Sequence, residues 1–331
     1  MVTICALPVH SFAVRTSLLS AATVAAAVAL HGDRLGLGDR HPMVSVAAFR
    51  PYVTAATAAA AAVLARRRPV PAAVLAGLAA AAAPPLVGRI GARPAVAEHP
   101  DDLVVLAANV WHGRARPVAF AALLEREQPD LVALSEAGQP FLDVLRPHLD
   151  ALGYRSWTSA APGTLDGKGV ALLAGPRAGE LTVSGGPELR TQHLRATGGI
   201  LGERAFVVAH TAAPTSIAGT RVWRHDLAAL ARWSHEPVAP IIAGDLNATL
   251  DHAPLRAVLG PVVSASTGSG RGLVGTFPTP LRPHWPALIG IHIDHVLVPA
   301  GSEVPRYSIV DVPGSDHRAV LARVRTPEVS W

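Results

Sequence analysis

The first 98 residues differ in composition from the rest of the chain, and this boundary constrains the fold more than any other feature. Residues 1–98 are dominated by alanine, valine and leucine, whereas residues 99–331 mix apolar runs with Asp, Glu, His, Pro and Gly in ordinary globular proportions. We therefore predict a membrane region over residues 1–98 and a separate domain over residues 99–331.

Three apolar stretches carry the membrane prediction: Thr16–Leu30, Met43–Ala65 and Val70–Val87. A helix needs about 20 residues to cross the hydrocarbon core, so the second stretch is long enough, the third is borderline and the first is short. Three transmembrane helices are favoured, and two are the alternative. Arg50 lies near one end of the second stretch, where its long side chain is expected to reach the membrane interface.

A basic loop predicts how these helices are oriented. Arg66, Arg67 and Arg68 lie between the second and third stretches. Short loops rich in Lys and Arg stay in the cytoplasm, so three crossings would place everything after residue 98 outside. The sequence thus predicts a multi-pass protein of the cell membrane with an extracytoplasmic domain. Two other interpretations remain open, an export signal cleaved after residues 95–97 and an alanine-rich soluble bundle.

The positive charge of the chain is concentrated in its first part. The formal net charge is +5, and residues 1–98 hold nine Lys+Arg against three Asp+Glu, which leaves 20 and 21 for the remainder. The second domain therefore carries no polyanion-binding signal at the level of net charge. Cys5 is the only cysteine, which excludes an intramolecular disulfide and a cysteine-rich zinc site.

From Asp101 onward, short β-branched runs alternate with amphipathic stretches, which is the pattern of a mixed α/β domain. The predicted strands are Leu103–Ala108, Leu131–Ser135, Gly169–Ala174, Ala205–His210, Pro240–Gly244, Ile291–Val298 and Ala319–Val324. The predicted helices are Pro117–Glu127 and Arg221–Trp233. Polar residues lie at or beside the ends of several strands, where a sheet presents side chains to a cleft.

Eight of these polar residues form a set suited to the hydrolysis of a phosphate ester. They are Asn109, Glu136, His210, Asp245, Asn247, Asp294, Asp316 and His317. The carboxylates and amides are hard oxygen ligands of the kind that Mg²⁺ prefers, and the histidines can move protons or stabilise charge near neutral pH. Asp and Asn also commonly begin turns after strands, so the inference depends on the whole set.

Six segments around these residues resemble, in order, the motifs of the endonuclease/exonuclease/phosphatase superfamily. They are Ala108–Trp111, Leu134–Glu136, Val208–Thr211, Gly244–Ala248, Ile293–Val296 and Ser315–His317. The superfamily includes DNase I-like nucleases, abasic-site endonucleases, sphingomyelinases and inositol-phosphate phosphatases. The resemblance spans about residues 101–326. It implies an α/β (α+β) four-layer sandwich of two packed mixed β-sheets flanked by helices, here preceded by the N-terminal transmembrane helices.

The resemblance also implies a metal site and a site for the attacking water. Glu136, with Asn109 and Asp316, would hold Mg²⁺, with Mn²⁺ as a substitute, and whether one or two ions bind is left open. The ion would polarise the phosphoryl oxygens and favour departure of the leaving group. Asp245 and Asn247 would orient the water and hold the phosphate.

Two histidines complete the implied machinery. His317, oriented by Asp294, would act on the scissile phosphate as a base or as a stabiliser of developing charge. His210 resembles the second histidine of the DNase I-like and sphingomyelinase branches, which is often assigned as the general acid. Abasic-site endonucleases have a tyrosine there, which argues against that branch. Asp166 is the one candidate for a carboxylate that supports His210.

Together these features predict a Mg²⁺-dependent hydrolase, either a phosphodiesterase or a phosphatase. The substrate would be a small molecule, a phospholipid or a nucleic acid that carries a phosphate ester, and no protein partner is predicted. A nuclease is the alternative enzyme. A membrane-tethered binding module without activity is the alternative from another class, and the intact set of motifs argues against it.

Overall fold

The computed structural model describes residues 9–94, 96–279 and 290–328, with side chains from Ser20 onward. The helices are α1 (Val9–His31), α2 (Met43–Ala48), α3 (Arg50–Leu64), α4 (Pro69–Ala82), α5 (Pro84–Ile90), α6 (Pro117–Glu127), α7 (Gln139–Leu152), α8 (Ile217–Ser234) and α9 (Ala253–Arg256). The strands are β1 (Leu103–Asn109), β2 (Leu131–Ser135), β3 (Arg155–Thr158), β4 (Val170–Ala174), β5 (Thr182–Gly186), β6 (His193–Thr197), β7 (Phe206–Ala209), β8 (Ile241–Asp245), β9 (Val262–Ser264), β10 (Asp294–Pro299), β11 (Glu303–Asp311) and β12 (Arg318–Arg325).

The strands form two mixed sheets that pack face to face. The first has the order β11-β12-β1-β2-β4-β3 and the second the order β5-β6-β7-β8-β10-β9. One neighbouring pair in each sheet is parallel, β1 with β2 and β7 with β8, and the other pairs are antiparallel. Helices cover the outer faces. This confirms the predicted pair of packed mixed sheets flanked by helices.

Strand β1 shows why the central strands are apolar on both faces. All seven of its residues are buried. Val105 belongs to the core between the two sheets, whereas Leu106 belongs to the outer core with Phe120 of α6. Trp223 of α8 fills the corresponding layer outside the second sheet. A strand that is covered on both faces needs an almost continuous apolar run, and the order of layers is therefore helix, sheet, sheet, helix.

Local signals explain where some elements begin and end. Helix α6 has Pro117 in its first turn and stops at Gln128, whose φ of 46° is left-handed. Helix α8 begins four residues before the predicted Arg221, because the Ser216 hydroxyl accepts a hydrogen bond from the Gly219 N–H at 3.0 Å. The other predicted elements match observed ones to within about two residues, except at the start of β10.

Strand β10 begins at Asp294, later than the predicted Ile291, because the preceding residues bond elsewhere. The carbonyl of Ile291 accepts hydrogen bonds from the N–H groups of Thr276 and Phe277, and the carbonyl of Ile293 accepts one from Leu246. The segment 291–293 is therefore held between loops and does not extend the ladder with β8.

The N-terminal helices form a bundle in which α3 and α4 are an antiparallel pair packed against α1. Within the residues that the structure describes, no single helix has both the length and the apolar composition that a membrane crossing needs. Helices α4 and α5 meet these criteria only when taken together, and they are bent by 54° at the break between them. Two or three transmembrane helices stay a prediction.

Arg50 is buried, contrary to the expectation that it reaches a membrane interface. Its Nη2 lies 3.0 Å from Asp33 Oδ1 and its Nη1 lies 3.8 Å from Asp251 Oδ1. Arg89 Nη1 donates to Asp251 Oδ2 at 2.6 Å, and Arg256 Nη2 lies 2.7 Å from Asp33 Oδ2. We call these five residues the interface cluster. It joins the N-terminal helices to the loop that follows β8.

Helix α2 also contributes to the core of the second domain. Val44 is fully buried in the apolar cluster around Trp223, and its carbonyl lies 2.8 Å from His252 Nε2. The predicted division at residue 98 stays a prediction, but part of the N-terminal region packs as an integral layer on the domain that follows.

Candidate active site

The polar residues predicted from the sequence converge because several strands meet at one edge of the sandwich. Asn109 ends β1 and pairs with Ser135, the last residue of the parallel strand β2, which Glu136 follows directly. Asp245 ends β8. Strand β10 runs antiparallel to β8, so its first residue, Asp294, pairs with Asp245. Carboxyl ends of some strands and amino ends of others thus supply one site.

His317 and Asp294 form a buried hydrogen-bonded pair. His317 Nδ1 lies 2.8 Å from Asp294 Oδ2, and both side chains are buried. Burial alone would lower the pKa of His317, but Asp294, together with Asp245 and Asp316, outweighs burial and raises it to about 10. Burial likewise works against ionisation of Asp294, but His317 outweighs it and holds the pKa of Asp294 below its usual value. At neutral pH the pair is an imidazolium and a carboxylate.

Asp245 lies at the centre of the site. Its Oδ1 accepts from the Asn247 N–H at 2.8 Å, and its Oδ2 accepts from Asn109 Nδ2 at 3.0 Å. His210 Nε2 and His317 Nε2 lie 3.8 and 3.9 Å from the same Oδ2. Burial, and then repulsion from Asp294, raise the pKa of Asp245 despite these histidines. The carboxylate therefore has an increased affinity for a proton.

Glu136 and Asp316 provide carboxylate oxygens suited to a divalent cation. Glu136 Oε1 accepts from Asn109 Nδ2 at 3.0 Å, and its Oε2 accepts from the His112 N–H at 2.8 Å. Asp316 Oδ1 is buried and has no hydrogen-bond partner among the described residues. Burial raises the pKa of Asp316, and the Glu136 charge adds to this against the effect of His317. An unpartnered oxygen beside a second carboxylate fits a hard cation such as Mg²⁺.

A second group of ligand atoms could also hold a metal ion. One ligand atom from each of Asp245, Asp294 and His317 lies within 4.8 Å of the other two. However, His317 is bonded to Asp294 through Nδ1, and its raised pKa keeps Nε2 protonated as well, so this group is better arranged to hold a proton than a cation. Asn109 bridges two carboxylates through its Nδ2, and its Oδ1 accepts from the Trp111 N–H at 2.8 Å. A direct metal contact from Asn109 stays a prediction.

Six of the eight predicted residues line one cleft of about 580 Å³. They are Glu136, His210, Asp245, Asn247, Asp316 and His317. Asn109 and Asp294 lie behind it and hydrogen-bond to residues that line it. Glu136 and Asn247 have φ values of 59° and 46°, which are uncommon for residues with a side chain. Such backbone strain is typical of functional sites, where the surrounding fold holds a side chain in place.

Three hydroxyl residues that the sequence analysis did not single out position this site. Ser135 Oγ accepts from the Asp245 N–H at 3.1 Å. Ser315 Oγ donates to the Asn109 carbonyl at 2.7 Å and accepts from the His317 N–H at 3.0 Å. Thr276 Oγ1 accepts from the Asp294 N–H at 3.2 Å. Ser135 and Ser315 lie inside segments that resemble family motifs, so their positions in the sequence could have indicated a role at the site. Thr276 lies outside these segments, and no sequence pattern indicated its role.

The expected role of Asp166 is wrong. Its Oδ1 accepts from the N–H groups of Gly138 and Phe141, at 2.8 and 3.1 Å, so Asp166 caps the start of α7. His210 Nδ1 is buried without a hydrogen-bond partner among residues 20–94, 96–279 and 290–328. The described part of the chain therefore gives His210 no supporting carboxylate, and its charged neighbour is Asp245 on the other ring nitrogen.

Comparisons with known proteins give a family match and similar solved structures. The family model described as "Endonuclease/Exonuclease/phosphatase family" matches residues 106–317. An endonuclease/exonuclease/phosphatase structure from Beutenbergia cavernae DSM 12333 has a TM-score of 0.51 and 20% identity, over 69% of this chain and 72% of that one. The comparison with curated proteins gives no significant match.

Two further similar structures come from animals. The human Nocturnin catalytic domain with bound sulfate has a TM-score of 0.52 and 17% identity, over 70% of this chain and 97% of that one. D. rerio TDP2 complexed with a single-strand DNA product has a TM-score of 0.53 and 14% identity, over 68% and 99%. At these identities the likeness is one of fold.

Proposed function

The chain belongs to the endonuclease/exonuclease/phosphatase family, and from that premise we infer that it is a Mg²⁺-dependent phosphoesterase that hydrolyses its substrate by attack of water. The observation that carries this inference is the convergence of Glu136, Asp245, Asp316 and His317 on one cleft, with Asp294 hydrogen-bonded behind His317. Glu136 and Asp316 supply hard oxygen ligands. Asp245 supplies a carboxylate with a raised pKa, and His317 supplies a buried positive charge.

Glu136 and Asp316 would hold a divalent cation, which would supply positive charge to polarise the phosphoryl oxygens and stabilise the leaving oxygen. Asp245, with its raised pKa, accepts the proton of the attacking water. The Asn247 N–H fixes the orientation of Asp245, and the Asn247 side chain is fixed in turn by donation from Nδ2 to the Thr211 carbonyl at 2.9 Å.

His317 stabilises charge in this mechanism and is not the base. With a pKa raised to about 10 it carries a proton on both ring nitrogens at neutral pH. Asp294 holds the Nδ1 proton, so Nε2–H is left to donate to a phosphoryl oxygen as negative charge develops. His210 lines the same cleft and is the group available to protonate the leaving oxygen.

The location of the reaction is part of the same proposal. The basic loop Arg66–Arg68 and the apolar N-terminal stretches favour a catalytic domain outside the cytoplasmic membrane. A nuclease is the second candidate, because the similar D. rerio TDP2 structure is complexed with a single-strand DNA product. The near-balanced charge of residues 99–331 favours a smaller or lipid substrate over a polyanion.

Turnover by the full chain tests the proposal. We expect Mg²⁺-dependent release of nitrophenol from bis-p-nitrophenyl phosphate or p-nitrophenyl phosphate, with DNA and phospholipid assayed in parallel. EDTA should abolish all activity, and added Mg²⁺ should restore it. Activity that is insensitive to EDTA would reject the metal mechanism. Cleavage of DNA alone would favour the nuclease. The full chain is required because Asp251 and His252 are buried against the N-terminal helices.

A further inference from the structure

A large apolar cavity lies between the N-terminal helices and the second domain. Its volume is about 1040 Å³, and helices α3, α4 and α5 form one side of it. We call it the hairpin trough. Exposed alanines that line it on α3 and α4 are Ala55, Ala58, Ala62, Ala73, Ala76 and Ala80. The trough is therefore open to the surroundings along the two helices.

The wall of the trough suits a hydrocarbon chain. The backbone groups of a helix are satisfied within the helix, so a face of alanine methyl groups offers no hydrogen-bond partner to a polar ligand. Small side chains also let a neighbouring chain approach closely. A hydrocarbon that covers this face removes apolar surface of both partners from water, which is the main source of free energy for such contacts.

The inner end of the trough reaches the segments that carry the candidate active site. Thr249 lines the trough two residues after Asn247, which lines the cleft. Ile291 lines the trough, and Ile293 lines the cleft. The segment 291–293 is thus a wall shared by the two cavities. The inner end of the trough and the cleft are therefore adjacent along this segment.

The outer surface of the helices indicates where such a molecule would come from. Val63, Val70 and Val74 do not line the trough and are between 46% and 79% exposed. The arginines 66–68 lie in the turn at the far end of the α3–α4 pair. Large exposed apolar side chains with basic residues at one end are typical of a surface that contacts lipid. The occupant is therefore better sought among membrane lipids than among soluble metabolites.

We propose that the hairpin trough binds the hydrocarbon chain of a membrane lipid and that the substrate is such a lipid, with its phosphate ester in the cleft. The assignment of the substrate rests on the proposed function, whereas binding of the chain does not. Contacts of the chain with alanine methyl groups would make the binding free energy more favourable in proportion to the buried chain length. The ester would then enter the cleft beside residues 291–293, where Asp245 and His317 lie.

A pair of substrates with the same reacting centre tests the assignment. Methyl p-nitrophenyl phosphate and hexadecyl p-nitrophenyl phosphate release the same chromophore from the same phosphodiester and differ only in the alkyl chain. With the full chain in one detergent buffer, we expect kcat/KM for the hexadecyl ester to exceed that for the methyl ester by about tenfold or more. Equal values for the two esters would overturn the assignment.

Two neighbouring alanines on α3 provide a blocking variant and its control. Ala58 lines the trough, Ala59 does not, and both are exposed, so neither replacement disturbs a core. Ala58→Trp should reduce kcat/KM for the hexadecyl ester to about the value for the methyl ester and leave the methyl ester unchanged. Ala59→Trp should change neither. Equal effects of the two replacements would reject the trough as the binding site.

Direct binding separates this inference from the proposed function. A fluorescent fatty-alkyl probe, titrated into the full chain in EDTA, should bind to the wild type and to Ala59→Trp and should bind at least about tenfold more weakly to Ala58→Trp. If the probe binds in this pattern but no ester is hydrolysed with Mg²⁺, binding of a hydrocarbon chain in the trough is supported and the proposed function is rejected. If esters are hydrolysed but the probe does not bind, the trough inference fails alone.

Discussion

Two buried charged clusters lie on either side of one short loop, and they are built in opposite ways. Asp245 belongs to the candidate active site, and Asp251, six residues later, belongs to the interface cluster. Around Asp245, the negative charges of Asp294 and Asp316 are opposed mainly by His317. Around Asp251, Arg89 and Arg50 face the two carboxylate oxygens at 2.6 and 3.8 Å.

The comparison shows that burial of a charge does not by itself mark a functional site. In the interface cluster each carboxylate faces arginines, so the charges are neutralised and the cluster attaches one region to another. In the active-site cluster the negative charge is in excess. Burial and neighbouring carboxylates raise the pKa values of Asp245 and Asp316, whereas in the interface cluster Arg50 and Arg256 outweigh burial and lower the pKa of Asp33. Excess negative charge with raised pKa values, more than burial, indicates chemistry there.

The largest difference between the clusters should appear in turnover when His317 is replaced. His317→Gln removes the cation that stabilises the developing charge, so kcat should fall by about 10² to 10⁴-fold with Mg²⁺ at saturation. The melting temperature should fall as well, because the buried Asp294 loses its charged partner, so turnover is compared at a temperature at which the variant is folded. The exposed His225 on α8 gives the matched control, and His225→Gln should keep full turnover. A near-native rate for His317→Gln would remove it from the mechanism.

The interface cluster should respond in stability instead. Arg89→Met leaves the buried Asp251 without its closest partner and should lower the free energy of unfolding by about 3 to 5 kcal/mol. Arg224 pairs with Asp39 at 3.0 Å between the same two regions but is half exposed, so Arg224→Met should cost at most about 1 kcal/mol. Denaturant titration of both variants measures the difference. Equal losses would show that burial of the Arg89 pair is unimportant.

The metal site should respond in its Mg²⁺ requirement. Glu136→Gln keeps the hydrogen bond from Asn109 Nδ2 but removes a negative charge, so the Mg²⁺ concentration for half-maximal activity should rise by about 10 to 100-fold. Activity should be recovered in part at high Mg²⁺. Glu125 is exposed on α6, and Glu125→Gln should leave the requirement unchanged. An unchanged requirement in Glu136→Gln would place the ion elsewhere.

A smaller effect, on the pH dependence of stability, should follow from His295, which is buried next to Asp294. Burial is the main cause that lowers the pKa of His295 to about 3, so His295 is neutral in the folded state while it takes up a proton below about 6.5 in the unfolded chain. The free energy of unfolding should therefore fall as the pH falls below about 6.5, by about 1.4 kcal/mol at pH 5.5 for this group. Denaturant titrations at pH 7.5 and 5.5 measure it. His295→Gln should reduce the fall in the free energy of unfolding between pH 7.5 and 5.5. An unchanged fall would show that His295 is not its source.

The active-site cluster was predictable from the sequence because each of its members follows or precedes an apolar strand within a recognisable segment. The neighbouring His295 is buried, and its Nε2 lies 2.8 Å from the Ala248 carbonyl. The interface cluster was not predictable. Its pairs join residues far apart in sequence, such as Arg89 and Asp251, and nothing in the local pattern distinguishes a buried arginine from one at a membrane surface.

The elements that the sequence analysis missed share a physical reason. Strands β5 and β11 are partly exposed, and their apolar residues do not form runs. Helix α7 contains Pro147, and proline disfavours the interior of a helix. The helix is retained because its apolar face, with Leu145 and Leu149, packs into the outer core. Tertiary packing therefore overrides local preference in these segments, whereas the buried central strands are specified by their own composition.

The contrast between two aspartates on one loop tests the account most directly. Asp245→Asn and Asp251→Asn make the same chemical change six residues apart, and kcat with Mg²⁺ and the melting temperature would be measured for both in the full chain. We predict that Asp245→Asn loses most turnover and keeps its melting temperature, whereas Asp251→Asn melts lower and keeps most turnover. If both variants lose turnover and stability together, or if Asp245→Asn remains active, the separation of chemistry from attachment is wrong.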